Sequence, residues 1–583
     1  MNAYSSLYDA PAFGLDAPEG RARRAALEAA ARVEHEAAPI LSYQSAGHLL
    51  IIGAERDALE CADLLREHLR CTVLTTAAAT GALSEAARDA LADEACVTLL
   101  RGEAGEIGPL SGYLGHFVLT LRLPDGREVA PAALTRPEQP FFDLVLDLRR
   151  QPGIRAELPP FGYFAPAGDS TRLNAMLTEI PEMVGEFEKP RFFNYNPDIC
   201  AHGSSGLTGC TRCLDACPTG AIRSIGDLIE LDANLCQGAG TCASVCPSGA
   251  MTYAYPGPRD QIAGIKRMLQ AFREAGGGAP TLLFHDQEVG LEHLRASAQT
   301  PMPAHVLPVA VAEIGSVGID TWLAALAYGA GDIVLLDTDA VPPSVRAAMQ
   351  TQIGHARPLL DAMGLDGGRI MWLDADLAAA DLYAALPASA RAPAVSTAAS
   401  FDTYNEKRGS LRMALDHLHA QAPERPATVT LPSGALFGQV RVDTASCTLC
   451  MACPQVCPTA ALGDGGDLPK LTFTEDNCVQ CGLCAKACPE DAITLEARFV
   501  FDREARRTPR VLNEEEPFCC IACGKPFATQ SVIGRMVEKL QGHHMFQSEE
   551  ALRRLRMCGD CRVTDLFAKD LEGGSKPRWL GPR

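Results

Sequence analysis

Eight cysteines at a repeated spacing constrain this chain more than any other feature of its sequence. They form two runs in which two, two and three residues separate successive cysteines, and a proline (Pro458 or Pro489) follows the last one. The runs consist of Cys447, Cys450, Cys453 and Cys457, and then of Cys478, Cys481, Cys484 and Cys488. Neither buried core thiols nor disulfides require such a repeat. Clustered cysteines in a large chain indicate metal binding instead.

The two runs resemble the C-x2-C-x2-C-x3-C-P pattern of bacterial two-cluster ferredoxins. In that family the fourth cysteine of each run crosses to the cluster of the other run. The resemblance therefore implies one [4Fe-4S] cluster held by Cys447, Cys450, Cys453 and Cys488, and another held by Cys478, Cys481, Cys484 and Cys457. Residues 421–500 are expected to form an intact two-cluster ferredoxin unit.

A second copy of the pattern lies between residues 191 and 257. Its cysteines are Cys200, Cys210, Cys213 and Cys217, followed by Cys236, Cys242 and Cys246. Pro218 and Pro247 close its two runs as in the first copy, and the following tails repeat as well. Internal duplication of a two-cluster unit is the simplest account. The same resemblance implies a complete [4Fe-4S] site at Cys200, Cys210, Cys213 and Cys246.

Two departures make this second copy degenerate. Cys200 precedes Cys210 by ten residues, and the flexible insert 203–209 is expected to loop out so that Cys200 still reaches its site. Ala239 stands where the second run has its second cysteine, which leaves Cys236, Cys242 and the crossing Cys217. Such a site has three interpretations: a [3Fe-4S] cluster, a [4Fe-4S] cluster whose fourth iron binds Gln237 or water, or an empty site. His202 is an alternative ligand for the neighbouring site, although a surface histidine is the favoured interpretation.

The C-terminal region 501–583 has a different cysteine pattern, and a charged linker over 498–516 is expected to lead into it. Two C-x2-C pairs, separated by residues of helical pattern, are typical of a closed structural zinc site. The expected ligands are Cys520, Cys523, Cys558 and Cys561, with Cys519 as a spare thiol and His543 or His544 as a less favoured replacement. A further iron–sulfur cluster is the alternative, because paired C-x2-C motifs also bind iron. We expect a small zinc-ribbon-like module.

The N-terminal part of the chain is predicted to be α/β. Residues 1–44 form a leader with a surface helix over 21–38, and residues 45–190 alternate strands with helices. A strand ends at Gly53 and a helix follows, as in a dinucleotide-binding unit, but the G-x-G-x-x-G fingerprint is absent. Binding of FAD or NAD is therefore not favoured. Cys61, Cys71 and Cys96 are interpreted as small buried hydrophobic residues.

The middle region 258–420 contains no cysteine and again alternates strands with helices. Its spacing predicts a small parallel sheet covered by helices. Residues 306–336 resemble the iron–sulfur (delta) subunit domain of methyl-viologen-reducing hydrogenases, which accompanies heterodisulfide reductase large subunits. The cysteines of that family are missing here, so the resemblance implies a docking or spacing domain. The predicted fold class is multidomain α/β and α+β with two bacterial-ferredoxin-like units.

Charge and hydropathy exclude several function classes. The formal net charge of −20 argues against nucleic acid as a partner. No apolar run is long enough to span a membrane, and the N-terminus does not resemble a secretory signal. A cytoplasmic location is expected. Negative charge also suits docking to a basic patch on a redox partner, although ordinary solubilising charge explains it equally well.

One-electron transfer is the chemistry that these motifs predict. No nucleophile–base pair, phosphate-binding loop or open metal site indicates a catalytic step, so the favoured function is an electron-transfer component rather than a stand-alone enzyme. The arrangement resembles multi-cluster proteins that accompany bacterial formate dehydrogenases and heterodisulfide-reductase-type complexes, which implies redox protein partners of those kinds. The alternatives are a flavin-containing oxidoreductase that uses region 45–190, and a redox-sensing regulatory or assembly factor.

Overall fold

The chain is a mixed α/β protein built from several separate sheets. The computed structural model describes residues 8, 13–15, 20–77, 82–101, 106–123, 126–297, 302–374, 382–466 and 468–572. No helix within these ranges has the length and apolar character needed to cross a lipid bilayer.

The N-terminal region forms a parallel five-stranded sheet beside a small antiparallel one. Its elements are α1 (Arg21–Ala30), β1 (Ile40–Ser45), β2 (His48–Ala54), α2 (Glu55–Leu65), β3 (Arg70–Ala77), α3 (Glu85–Ala92), β4 (Val97–Arg101), β5 (Glu106–Tyr113), β6 (His116–Arg122), β7 (Glu128–Val129), α4 (Pro131–Thr135), β8 (Leu144–Asp147), β9 (Tyr163–Phe164), α5 (Ser170–Glu179) and β10 (Gly185–Pro190). The parallel strands have the order β4-β3-β2-β8-β9. Strands β6 and β7 form a hairpin, and its turn residues 124 and 125 lie outside the described residues.

The strand order reverses direction between β2 and β8, where parallel α/β sheets commonly bind ligands. Leu148 lies against the backbone of Gly53 at this position, and a Cβ atom at Gly53 would be 3.0 Å from that of Leu148. Beside it, Asp147 is fully buried and pairs with Arg149 at 2.6 Å. A leucine and an ion pair therefore line the carboxyl ends of the central strands. Cys61 and Cys71 are buried in this region, and Cys96 is half-buried.

The degenerate ferredoxin region is built from short strands and two single-turn helices. It contains β11 (Phe193–Tyr195), β12 (Gly203–Ser204), β13 (Leu207–Thr208), α6 (Arg212–Asp215), β14 (Ile222–Ile225), β15 (Leu228–Leu231), α7 (Thr241–Val245) and β16 (Met251–Tyr253). The first and last strands pair antiparallel. The insert before Cys210 forms the small hairpin of β12 and β13.

The middle region forms the predicted parallel sheet. Its elements are α8 (Pro258–Glu274), β17 (Thr281–Asp286), α9 (Val289–Ala296), β18 (Val306–Val311), α10 (Ile319–Ala327), β19 (Asp332–Asp337), α11 (Pro343–Ala362), β20 (Ile370–Asp374) and α12 (Lys407–Gln421). The strands follow the order β18-β17-β19-β20. Helix α10 is buried along its whole length, because helices and sheet enclose it on all sides.

The N-terminal helix α1 belongs with this middle region and packs against α8. Arg23 of α1 is buried and donates from Nε to the carbonyl of Val306 at 2.8 Å. The predicted surface helix over 21–38 is therefore wrong in its extent and in its setting. The helix ends at Ala30, because the chain must then run extended towards β1, which pairs with β10.

The intact ferredoxin region repeats the element order of the degenerate one. It contains β21 (Thr428–Thr430), β22 (Gly438–Val442), α13 (Ala452–Gln455), β23 (Leu462–Gly465), β24 (Leu468–Phe473), α14 (Leu483–Ala487) and β25 (Ile493–Val500). Strands β22 and β25 pair antiparallel, as β11 and β16 do. Duplication of one unit accounts for this shared order.

The C-terminal region starts on the ferredoxin sheet and ends in a helical module. It contains α15 (Arg503–Arg507), β26 (Arg510–Glu514), β27 (Pro517–Cys519), β28 (Pro526–Thr529), α16 (Gln530–Leu540), α17 (Glu549–Leu555) and α18 (Gly559–Glu572). Strand β26 pairs with β24. The interpretation of residues 498–516 as a charged linker is thus wrong, because β25 and β26 pair in the two sheets of the intact unit and helix α15 lies between them.

Candidate iron–sulfur and metal sites

The cysteine loops of the intact unit have an unusual backbone conformation. Leu449, Met451 and Gln480 adopt positive φ angles of 54°, 58° and 54°, and Gly482 has a φ of 83°. Such angles are uncommon for residues with a side chain and persist where surrounding structure enforces them. Alternating conformations of this kind turn successive N–H groups towards one concave side, which suits an anionic group.

Backbone and side-chain donors point at the sulfur atoms. The amides of Ala461 and Ala492 donate to Cys457 Sγ at 3.2 Å and to Cys488 Sγ at 3.3 Å. Gln480 Nε2 donates to Cys478 Sγ at 3.2 Å. Donors of this kind favour thiolates over thiols. The loops therefore fit the negatively charged thiolates that bind iron–sulfur clusters.

The eight cysteines of the intact unit come together in two groups, named here by position. The outer site contains Cys447, Cys450, Cys453 and Cys488, and junction site I contains Cys457, Cys478, Cys481 and Cys484. Burial raises the pKa of Cys453 to about 12, and the thiolates of Cys447, Cys450 and Cys488 also raise it. Burial likewise raises the pKa of Cys484, with contributions from Cys478, Cys481 and Cys457. Cys488 thus lies beside the cysteines of the first run and Cys457 beside those of the second, and the clusters that they would hold stay a prediction.

The degenerate unit contains two further groups. Junction site II contains Cys200, Cys210, Cys213 and Cys246, and the inner site contains Cys217, Cys236 and Cys242. Burial raises the pKa of Cys213 to about 12, and the thiolates of Cys246, Cys210 and Cys200 add to this effect. Burial raises the pKa of Cys242 as well, together with Cys236 and Cys217. The amide of Met251 donates to Cys246 Sγ at 3.4 Å, as in the intact unit.

The loop at Ala239 packs against the middle region. Ala239 belongs to the buried hydrophobic cluster of that region. A Cβ atom at Gly240 would lie 2.5 Å from Ser316 Cα, so only glycine permits this approach. The side-chain nitrogen Nε2 of Gln237 donates to the carbonyls of Leu158 and Pro159. The side chain considered as a fourth ligand is therefore bonded to the N-terminal region.

His202 is not the surface histidine that the sequence favoured. It is 2 % exposed, its Nδ1 lies 2.9 Å from the Cys210 carbonyl oxygen, and its Nε2 lies 2.8 Å from Ser224 Oγ. Both ring nitrogens are thus engaged in hydrogen bonds. The folded insert brings the ring beneath the cysteine loop, which sequence distance alone does not reveal.

The two ferredoxin units touch at their junction sites. Lys486 Nζ donates to the carbonyl of Thr208 at 2.6 Å, and the Leu483 side chain lies against Gly209. Burial raises the pKa of Cys481 to about 11, and the Cys210 thiolate of the other unit is among the charges that raise it. The order of the groups along the molecule is therefore outer site, junction site I, junction site II and inner site.

Three buried cations near these loops were not found from the sequence. Lys189 Nζ donates to the carbonyl of Cys236 at 2.6 Å, Lys407 Nζ donates to that of Ala243 at 3.1 Å, and Arg408 donates to that of Cys478 at 3.0 Å. Basic residues in a charged strand or at a helix start are usually exposed. No sequence signal distinguished these three.

The C-terminal cysteines form a much tighter group than the cluster cysteines. The sulfur atoms of Cys520, Cys523, Cys558 and Cys561 all lie within 4.8 Å of one another, the only group of three or more such ligands among the described residues. Cys523 Sγ and Cys558 Sγ are 3.8 Å apart. A tetrahedral ion with metal–sulfur bonds of about 2.3 Å gives a sulfur–sulfur distance of about 3.8 Å. The spacing therefore suits one metal ion rather than a cluster.

Backbone amides favour the thiolate form of one sulfur in this group. Burial raises the pKa of Cys520, but the amides of Cys558, Cys523 and Ala522 lower it more, to about 6, whereas hydrogen bonds among the four sulfurs raise the pKa of Cys561. A thiolate is the form that binds metal. Cys519 is exposed and lies outside the group, as do His543 and His544, whose ring centroids are 4.3 Å apart.

The C-terminal module rests on the outer site. Thr529 Oγ1 donates to the carbonyl of Thr448 at 2.8 Å, and Arg535 donates to that of Ser446 at 2.9 Å. Both acceptors lie beside Cys447. The module therefore covers one side of the outer site, whereas Cys450 is exposed.

Comparison with known proteins identifies iron–sulfur domains in both units. Residues 471–494 match the family described as "4Fe-4S binding domain", and residues 208–250 match the "4Fe-4S dicluster domain". A stretch of 54 residues is 39% identical to a subunit of the ion-translocating oxidoreductase complex of Methanosarcina acetivorans. That match covers 9% of this chain and 20% of the relative, so the chain spans about a fifth of its length. The chain is thus an iron–sulfur protein with two ferredoxin-type 4Fe-4S domains, of the kind that transfers electrons.

Proposed function

We propose that this chain is a cytoplasmic electron-transfer protein or subunit that relays single electrons along its four cysteine groups. The contact between the two units carries the proposal, because Lys486 and Leu483 of the intact unit pack directly on Thr208 and Gly209 beside Cys210. This packing joins the two sites of the intact unit and the two sites of the degenerate unit into one continuous series. Iron–sulfur clusters supply reversible one-electron chemistry when bound to such sites.

The chain's own residues would hold and insulate these groups. Junction sites I and II and the outer site each offer four thiolates for a [4Fe-4S] cluster. The inner site offers three, which suits a [3Fe-4S] cluster or a [4Fe-4S] cluster with a non-cysteine ligand. In the second case the fourth ligand would be water or Gln237 Oε1, because the bonds to Leu158 and Pro159 use only Gln237 Nε2.

The remaining regions have supporting roles in this proposal. Regions 1–44, 45–190 and 258–420 act as cover and docking surfaces around the degenerate unit at 191–257. Region 421–500 carries the intact unit, and 501–583 carries a structural zinc site at Cys520, Cys523, Cys558 and Cys561. The partners are redox proteins of the formate dehydrogenase or heterodisulfide reductase type, or of an oxidoreductase complex such as that named for the Methanosarcina relative.

Metal analysis of anaerobically purified protein tests the proposal. Cubane ligation and a four-cysteine zinc site predict about fifteen or sixteen irons and about one zinc per chain. Reduction with dithionite should give EPR signals broadened by coupling between neighbouring paramagnetic sites. Colourless, iron-free protein would contradict the relay function.

A flavin-containing oxidoreductase is a second candidate function. The strand order β4-β3-β2-β8-β9 favours it, because it creates a reversal of direction between β2 and β8. The loop that follows β8 also reaches the inner-site loop, where Leu158 N donates to the Pro218 carbonyl at 3.1 Å. Leu148 packed on Gly53 opposes it, as does the missing glycine fingerprint. Release of flavin by acid precipitation would support this candidate, and its absence from iron-replete protein would exclude it.

A further inference from the structure

The three buried cations bond to backbone carbonyls of the cysteine loops. Lys189, Lys407 and Arg408 are 8%, 7% and 6% exposed. In the described part of the chain, every hydrogen bond from their charged groups ends on a carbonyl oxygen, and none ends on a carboxylate. A buried charge without a contacting counter-ion acts strongly on nearby groups, since little water screens it.

Each cation lies beside a different part of the cysteine series. Lys189 bonds to the carbonyl of Cys236 in the inner site. Lys407 bonds to Ala243 and Ser244 in helix α7, between Cys242 and Cys246. Arg408 connects the two units, with bonds to Pro247 at 3.1 Å and to Cys478 at 3.0 Å. The inner site and both junction sites therefore each have a buried cation close by.

Neighbouring acids are occupied by other groups. Asp476 near Arg408 pairs with Arg412 at 2.9 Å and with Arg506 at 3.5 Å. Arg506 also pairs with Asp416, which is partly exposed, and Glu406 caps helix α12 through the Gly409 amide. Asp232 near Lys189 accepts the amide of Asn234 at 2.9 Å. Asp320 is the buried acid near Lys407, and it makes no ion pair with it in the described structure.

The surroundings of the outer site are different. Its nearest cation, Arg535, is partly exposed and pairs with Glu490, which follows Cys488 by two residues. Asp443 also lies near Arg535 and accepts a hydrogen bond from Ser446 at 2.6 Å. Carboxylates thus accompany this cation. The outer site lacks the uncompensated positive charge of the other three.

Positive charge close to an iron–sulfur cluster stabilises its more negative, reduced form and so raises its reduction potential. If the inner site holds a [4Fe-4S] cluster with water as its fourth ligand, it has one thiolate fewer than the other sites, and its lower negative charge raises its reduction potential further. Its loop is also covered by Ser316 of the middle region and bonded to Leu158 and Pro159 of the N-terminal region. A partner protein therefore has no direct approach to it along this loop.

We propose that Lys189, Lys407 and Arg408 set a rising series of reduction potentials, so that electrons enter at the outer site from a partner protein and collect at the inner site. This inference rests on the proposed relay function and gives it a direction. It also makes the surface around exposed Cys450 the place where the partner's redox centre docks. The buried cations are positioning residues that act through the loops they bind.

Potentiometric titration monitored by EPR on the full anaerobic chain tests this proposal. In the wild type, the signal lost in Cys450→Ala marks the outer site, and it should be the last to appear on reduction. Arg408→Gln should lower the reduction potential of both junction sites, and Lys189→Met should lower that of the inner site. Each shift should correspond to at least a tenfold change in equilibrium constant, which is about 59 mV for one electron. Arg441→Gln, on the exposed surface of the intact unit, is the matched control and should change nothing.

The charge-conserving variants separate electrostatics from folding. Lys189→Arg and Arg408→Lys should keep potentials near the wild type while the neutral variants do not. If Arg408→Gln fails to retain iron, the comparison of Lys189→Met with Lys189→Arg decides alone. Unchanged potentials in the neutral variants, or an outer site reduced first, would overturn the direction while leaving the relay intact. Absence of clusters in the wild type would instead remove the relay itself.

Discussion

The two ferredoxin units share one architecture, and their ligand number differs at one loop. In the intact unit the loop contains Gln480, Cys481 and Gly482, and in the degenerate unit it contains Gly238, Ala239 and Gly240. The backbone keeps its left-handed turns in both, with φ angles of 85° at Gly238 and 74° at Gly240. The lost thiolate therefore did not collapse the loop. Packing under Ser316 and against the Phe192 ring stabilises it in place of the fourth ligand.

The largest expected effect comes from removing the same cysteine in each unit. Cys242→Ala reduces the inner site from three thiolates to two, and we expect loss of its whole cluster, about three or four irons per chain. Cys484→Ala leaves junction site I with three thiolates, as the inner site has naturally, so we expect loss of at most about one iron. Iron and sulfide analysis of both variants measures the difference. Equal iron loss would contradict the view that the degenerate unit has no ligand to spare.

The next effect concerns a module that only the intact unit carries. Cys523→Ser should release about one zinc per chain and unfold the region from 517 to 572, because closed four-thiolate sites contribute folding energy directly. Zinc analysis and hydrogen exchange of that region measure the change. Cys519→Ser is the matched control, since Cys519 is exposed and outside the four-sulfur group. Zinc retained in Cys523→Ser, or iron in place of zinc in the wild type, would refute the assignment.

Cysteine spacing identifies the runs, because a cluster loop is local and its ligands are counted along the chain, whereas the crossing fourth ligand was implied by the resemblance. The assignment of these cysteines to clusters stays a prediction. The parallel strands of the middle region could also be predicted from the sequence, since short apolar runs such as that within Asp332–Asp337 indicate buried strands. The tertiary contacts around the sites could not be predicted from the sequence. Arg408 reaches Pro247 across 161 residues, and Ser316 covers Gly240 through tertiary packing that has no local signature.

The wrongly predicted elements have the same physical cause. Residues 498–516 have the charged composition of a linker, yet backbone hydrogen bonds with β24 hold β26 in a sheet whatever its side chains. His202 has the sequence surroundings of a surface residue, because a Gly- and Ser-rich insert gives no sign that it folds into the hairpin of β12 and β13.

A smaller effect is expected from restoring the missing ligand. Ala239→Cys places a thiol on a loop that already has the left-handed residues on both sides, so we expect the inner site to gain a fourth thiolate. If the site holds a three-iron cluster, iron should rise by about one per chain and an oxidised-state EPR signal should disappear. Ala243→Cys is the matched control, because Ala243 is equally buried but lies between ligand positions. No change in iron or EPR would mean that packing against the middle region has closed the position to a ligand.

The smallest expected effect is on a single hydrogen bond to sulfur. Gln480 donates to Cys478 Sγ at 3.2 Å, whereas Gly238 at the matching position has no side chain, and a Cβ there would lie 2.8 Å from the Phe192 ring. Gln480→Gly keeps the positive φ angle and removes the donor, so junction site I should become harder to reduce by less than a tenfold change in equilibrium constant. Ala460→Gly makes the same backbone change at an exposed residue with a positive φ of 49° and no side-chain donor, and it should leave all potentials unchanged. EPR-monitored titration of both variants separates the two effects. Equal shifts in reduction potential in both variants would assign the difference between the units to backbone freedom rather than to hydrogen bonding. A rise in potential in Gln480→Gly alone would contradict the role of the donor.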